Sequence, residues 1–272
     1  MKKAGLVLTS LLLVVGLVTG CGSTAPAAPP TPSATTEMSA DVKAIKDRGV
    51  LKVGVKVDVP KFGYKDPKTE KVEGFEIDLA NVISKKIIGT EKIEAAAVTA
   101  KTRGPLLDSG DVDLVIATFT VTEERKKSYN FSDAYFVDGV RLMVKKSAGF
   151  TSLKDLDGKK IGVAQSATSK KAIEEQAAKV GAKVSFLEFA TYPEIKTALV
   201  AGRVDCFSVD GSILFGYLDD STVILADSFS PQDYGVASKK GNDGLAKLVN
   251  TTIADLKKSG ELDKMIQKWG LK

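Results

Sequence analysis

From about residue 39 the chain alternates short apolar runs with longer segments of helical period. The runs at 51–55, 93–98, 112–116, 140–144, 161–164, 184–186, 204–208, 223–225 and 234–237 read as strands. The segments 75–88, 169–180, 192–201 and 245–269 read as helices. In the first of these, Phe75, Leu79, Val82, Ile83 and Ile87 recur at the spacing of one helical face. Such alternation predicts an α/β architecture with mixed, largely parallel sheets. No internal repeat is visible.

Two features predict two lobes. The stretch 150–163 is turn-rich and leads into a new first strand. The helix at 245–269 has no strand of its own to cover, so the chain must return near Tyr234. Lobe 1 is therefore expected at 39–141 plus 234–272 and lobe 2 at 142–233, with hinge crossovers near 140–144 and 233–237. In open α/β sheets a ligand crevice lies at the carboxyl ends of the strands. With two lobes, that crevice is the cleft between them.

The first twenty residues follow a different logic. Lys2 and Lys3 precede an apolar run from Leu6 to Val18 that only Thr9, Ser10 and Gly16 interrupt. At ~1.5 Å per residue such a run spans about 20 Å, well short of a roughly 30 Å hydrocarbon core. A secretory signal at 1–20 is the expectation. The run ends in Leu17-Val18-Thr19-Gly20-Cys21, which resembles the bacterial lipobox and makes Cys21 a candidate lipidated N-terminus. Residues 21–38 then read as an extended tether, because four of the chain's nine prolines fall between 22 and 36.

Charge and composition narrow the chemistry. There are 39 Lys+Arg against 34 Asp+Glu, a formal charge of +5. Removing Lys2 and Lys3 leaves 5 − 2 = +3, with the basic residues scattered, so nucleic acid is not an expected partner. Histidine is absent, which excludes a His-based triad, an imidazole base and a His-ligated zinc site. Cys21 and Cys206 are the only cysteines, too few for a Cys-rich metal site. No catalytic residue, metal or cofactor is expected.

Several ordered motifs remain. They are Gly74-Phe75-Glu76-Ile77-Asp78-Leu79, the segment from Val112 through Thr118-Phe119-Thr120-Val121-Thr122 to Arg125, and Tyr129-Asn130-Phe131-Ser132-Asp133-Ala134-Tyr135. In this order they resemble the polar amino-acid class of ABC-transporter solute-binding proteins, over nearly all of 51–272. The segments 101–108 and 192–199 are most similar to the aspartate/glutamate-binding lipoproteins of that class. The resemblance implies a two-lobed periplasmic-binding-protein (type II, Venus flytrap) fold that captures an amino acid outside the cell. It implies further that the ligand passes to an ABC permease and that the protein is a monomer rather than an enzyme; the Cys21 motif adds the expectation of a membrane anchor.

A free amino acid is a zwitterion, so its site needs a cation and an anion. The resemblance puts Arg125 on the ligand carboxylate, where a guanidinium forms a bidentate fork. It puts Asp210, in Cys206-Phe207-Ser208-Val209-Asp210, on the ligand ammonium; a plain helix cap is the alternative. Thr118 and Thr120 offer hydroxyls at a strand end. Ser166 and Thr168 precede the 169–180 helix, whose N-terminus favours a carboxylate. The family's usual Gly-Ser/Thr-Ser/Thr step is Ser166-Ala167-Thr168 here, which leaves the contacting hydroxyl open.

By the resemblance, Arg103 stands where relatives for uncharged or basic ligands carry an apolar residue, which implies an acidic ligand side chain. Pairing of Arg103 with Asp108 or Asp113 is the alternative. Lys56 offers a second cation, Phe119 a surface for the ligand's aliphatic part, and Tyr234 a phenol near the second hinge. Competing expectations are a glutamine or cystine binder, a cyclohexadienyl dehydratase on the same fold, or a surface adhesin or sensor.

Overall fold

The protein is described by a computed structural model covering residues 38–271. The expected leader, Cys21 and all but the last residue of the tether lie outside the described residues.

The described residues open with α1 (Ala40–Arg48), β1 (Leu51–Val55) and a three-stranded hairpin sheet of β2 (Asp58–Val59), β3 (Gly63–Lys65) and β4 (Val72–Glu73). Then come α2 (Phe75–Ile88), β5 (Ile93–Ala97), α3 (Arg103–Ser109), β6 (Leu114–Ile116), α4 (Glu123–Ser128) and β7 (Tyr129–Phe131). A second run follows: β8 (Phe136–Lys145), β9 (Lys160–Ala164), α5 (Ser169–Val180), β10 (Ser185–Phe189), α6 (Tyr192–Val200), β11 (Cys206–Asp210), α7 (Gly211–Phe215), β12 (Thr222–Ile224) and β13 (Phe229–Tyr234). The chain ends in β14 (Ala237–Lys239), α8 (Asp243–Ser259) and α9 (Glu261–Lys268).

These strands build two principal mixed sheets. The first has the order β5-β1-β6-β14-β7, and the second the order β10-β9-β11-β8-β12 with β13 also on β8. Each has a three-stranded parallel core, β5-β1-β6 or β10-β9-β11, flanked by antiparallel strands. Parallel strands are joined through helices, as such pairing requires. In α2, Phe75, Ile77, Leu79, Ala80, Ile83 and Ile87 are buried. Each of the larger ones stabilises the core by ~1.5–3 kcal/mol.

The crossings between sheets differ from the expected positions. The chain leaves the first sheet after Phe131 and enters the second at Phe136, ahead of the expected division at 141/142. The reason is β8, one ten-residue strand that pairs with β13 along 136–140 and with β11 along 140–144. Residues 136–141 therefore belong with the second sheet. The single strand expected at 234–237 is two strands with a crossing between them. Gly235 sits at that crossing, where an added Cβ would lie 2.8 Å from Val121 Cγ2 and 3.1 Å from Ser132 O. The expected helix at 245–269 divides at Gly260, whose φ of 74° is left-handed.

Candidate ligand-binding site

The candidate residues gather where carboxyl ends of strands from both sheets meet. Lys56 follows β1, Thr118, Phe119 and Thr120 follow β6, and Arg103 opens α3. From the second sheet, Ser166 and Thr168 lie between β9 and α5, Tyr192 opens α6, and Asp210 ends β11.

Phe119 is flanked by two cations. The Arg103 guanidinium lies 4.1 Å from its ring centroid and that of Arg125 lies 4.8 Å away. The ring face attracts both, so Phe119 orders the arginines as well as offering apolar surface. Arg125 donates from Nη1 to Thr120 O at 2.7 Å and from Nη2 to Ser166 O at 3.0 Å. It thus ties a loop of the first sheet to a loop of the second. These bonds engage two of the five N–H donors a guanidinium carries. Burial, with the like charge of Arg103, lowers its pKa, although an arginine remains charged at neutral pH.

Arg103 is buried, and its Nη1 donates to the carbonyls of Ala117 (2.7 Å) and Thr118 (2.9 Å). It pairs with neither Asp108 nor Asp113: Asp108 accepts from the Tyr129 phenol and Asp113 pairs with Arg48. Its Nε is buried without a hydrogen-bond partner, and no ion pair to it occurs among the described residues. Lys56 is buried too, but its Nζ lies 2.9 Å from Asp58 Oδ1 and 4.6 Å from the centroid of the Tyr192 ring. Burial lowers the Lys56 pKa, and the charge of Asp58 opposes that.

Two buried carboxylates face these cations. Asp210 stands at the N-cap position of α7 but makes no side-chain cap bond; its Oδ2 accepts a hydrogen bond from the Tyr234 phenol at 2.5 Å, while its Oδ1 is buried without a partner. Burial raises its pKa to about 7, against the pull of the Tyr234 hydrogen bond. Tyr234 itself packs against Phe136 and Phe62, so its hydroxyl orients Asp210. The second carboxylate is Glu76, on α2, whose Oε1 accepts from Thr118 N at 2.7 Å and the Tyr135 phenol at 2.5 Å. Burial raises it to about 7 as well. Its bond holds Thr118 at φ 46°, a left-handed conformation unfavourable for a β-branched residue. Thr118 Oγ1 is buried with no hydrogen-bond partner.

The remaining hydroxyls have definite partners. Thr120 Oγ1 and Thr168 Oγ1 both donate to Gln232 Oε1, at 2.9 and 2.6 Å. Thr168 makes no side-chain cap to α5. Ser166, at φ 61°, contributes its carbonyl to Arg125.

Glu76, Tyr192 and Gln232 escaped the sequence reading of the site. Glu76 carried a signal: it shares a helical face with Ala80, Ile83 and Ile87, where an acid is out of place. Tyr192 and Gln232 gave no local pattern.

The chain resembles known proteins along most of its length. Residues 51–272 match the family described as bacterial extracellular solute-binding proteins, family 3. The ABC transporter glutamine-binding protein GlnH of Bacillus subtilis (strain 168) is 40% identical over 99% of this chain and 97% of that protein. The glutamine-binding protein of Geobacillus stearothermophilus is 42% identical, over 91% and 95%. A glutamate/aspartate import solute-binding protein of Salmonella typhimurium (strain LT2) is 30% identical, over 96% and 87%. Among solved structures, an ancestral arginine-binding protein bound to arginine superposes with TM-score 0.74 at 38% identity, covering 82% of this chain and 99% of that one. The fold is thus that of two-lobed, type II periplasmic amino-acid-binding proteins, and amino-acid binding for an ABC transporter outside the cytoplasm is the role of its relatives. With the family matched from β1 to the last residue, and the strand ends converging as its architecture requires, the chain belongs to the bacterial extracellular solute-binding proteins, family 3.

Proposed function

We propose that this protein captures an acidic amino acid, aspartate or glutamate, between its two lobes and presents it to an ABC permease without transforming it. Arg125 takes the ligand's α-carboxylate and Asp210 Oδ1 its ammonium. Thr118, Phe119, Thr120, Ser166 and Thr168 line this end, and Tyr234 acts through Asp210. Arg103 and Lys56 receive the side-chain carboxylate beside Tyr192. The lobes, 39–135 plus 236–272 and 136–235, close on the ligand by rotation about the two crossings. Cys21 carries a lipid that holds the monomeric protein at the outer face of the cell membrane.

One observation carries the acidic preference: Arg103 is buried with only neutral carbonyl partners. Asp210 and Glu76 act on this charge without pairing directly with it; a buried charge lacking an ion-pair partner is costly, and an incoming carboxylate supplies that partner. Lys56 matters less, since Asp58 already neutralises it. The names of the Bacillus subtilis and Geobacillus stearothermophilus relatives favour glutamine as a second reading. Mass spectrometry of the ligand released from natively purified protein separates the two. Aspartate or glutamate is expected, and glutamine as the co-purifying species would favour the second reading.

A further inference from the structure

We infer that Gln232 is a positioning residue that turns the hydroxyls of Thr120 and Thr168 into hydrogen-bond acceptors for the ligand ammonium. The inference rests on the amino-acid-binding reading of the site and goes beyond it by naming what fixes the direction of these hydrogen bonds.

Counting hydrogens gives the argument. Gln232 is buried on β13, and its Nε2 donates to Ser230 O at 2.8 Å, which fixes the amide so that Oε1 faces the threonines. Both threonine hydroxyls approach that one oxygen. An amide oxygen only accepts, so each hydroxyl must spend its single hydrogen there. What either threonine can still offer a ligand is a lone pair. Lone pairs suit an ammonium and repel a carboxylate.

The strand geometry supports the same reading. Gln232 and Tyr234 are two residues apart on β13, both buried, with exposed Pro231 and Asp233 between and before them. Side chains alternate along a strand, so both project from one face at a spacing of roughly 7 Å. One aims two hydroxyls and the other aims the Asp210 carboxylate. An ammonium has three N–H donors, and this face of β13 organises three acceptors. The oxygen of Gln232 also bridges a loop after β6 to the loop before α5, so separation of the two sheets must break at least one of its bonds.

Calorimetry on the full protein with L-glutamate, L-aspartate, L-glutamine and (S)-2-hydroxyglutarate tests the proposal in wild type, Gln232→Met and Gln232→Glu. Wild type should prefer glutamate strongly over the hydroxy acid, whose single O–H cannot serve three acceptors. Gln232→Met keeps the side-chain length but frees both hydroxyls to rotate. It should weaken glutamate about tenfold and shrink the amino-to-hydroxy preference, with the ligand-free thermal transition little changed. Gln232→Glu keeps an accepting oxygen and should retain most of that preference. An unchanged preference in Gln232→Met, or equal loss in both variants, overturns the role of Gln232 alone. A wild type that binds none of the amino acids overturns the ligand reading and this proposal with it.

Discussion

Tyr234 donates its phenol proton to Oδ2 of Asp210 at 2.5 Å, leaving Oδ1 as the buried, unpartnered oxygen of that carboxylate. The two residues come from different strands, β13 and β11, that share β8 as a neighbour. The tyrosine therefore fixes one oxygen of the acid and leaves the other as the one the proposed ligand ammonium would meet.

Asp210 and Glu76 predict an unusual pH response. Burial raises both pKa values to about 7, above the ~4 of an unfolded chain. The folded protein then holds more protons than the unfolded chain between about pH 4 and 7, so ligand-free stability falls as pH rises through that window. Asp219, held low by its hydrogen bond from Lys196, makes its opposite contribution as pH rises up to about 4, at the bottom edge of that window. A ligand ammonium favours ionised Asp210, so affinity should rise over the same window. Thermal unfolding at pH 5 and pH 8 should show a more stable ligand-free protein at pH 5 and a larger ligand-induced gain at pH 8. Asp210→Asn should remove the second trend and reduce the first to the share that Glu76 contributes; stability that climbs from pH 5 to 7 would contradict the account.

Arg125→Lys should nearly abolish binding. A lysine supplies one point of charge where the guanidinium binds Thr120 O, Ser166 O and, in the proposed complex, a carboxylate fork. Lysine keeps the charge but loses the forked, charge-assisted hydrogen bonds, each worth about 1.5–3 kcal/mol, or roughly 10- to 150-fold in affinity per bond. Titration of the variant should reveal this loss, and affinity within threefold of wild type would remove Arg125 from the site.

Gly74→Ala should destabilise the fold with no direct effect on the ligand. Gly74 has φ 149°, and a Cβ there would sit 2.0 Å from Phe62 O. Relief would require moving the start of α2, and with it Glu76 and Thr118. A loss of roughly 3 kcal/mol or more is expected from the strain and clash. Chemical denaturation measures it directly, and a change below about 1 kcal/mol would mean the α2 entry is looser than the geometry implies.

How much of this was legible in the sequence depended on whether the signal was local. The ends of α2 and α5 were read correctly, because each stops at a left-handed glycine, Gly89 or Gly181. The full length of β8 was hidden, since Asp138 and Gly139 interrupt the apolar run that β13 pairing extends. Arg125 and Asp210 stood out through motifs that resemble the family's. Gln232 did not, because its partners Thr120 and Thr168 lie 112 and 64 residues away in the chain. Buried polar residues linked over such separations leave no periodic trace.

The proposed lipid anchor on Cys21 rests on the N-terminal motif alone. Cys21→Ser should leave the precursor unprocessed or shift the protein out of the membrane fraction. Cell fractionation with and without the substitution tests this, and unchanged processing and retention would refute the lipid anchor.

The central claim is that a buried Arg103 with no ion-pair partner among the described residues selects a ligand with a second carboxylate. Isothermal titration of wild type and Arg103→Leu with glutamate, aspartate, glutamine and asparagine measures it most directly. Wild type should bind an acidic ligand at least about tenfold more tightly than the matching amide, a difference of ~1.4 kcal/mol. Arg103→Leu should erase that preference by weakening the acids more than the amides. Glutamine bound by wild type as tightly as glutamate, or acidic affinity untouched in Arg103→Leu, would contradict it.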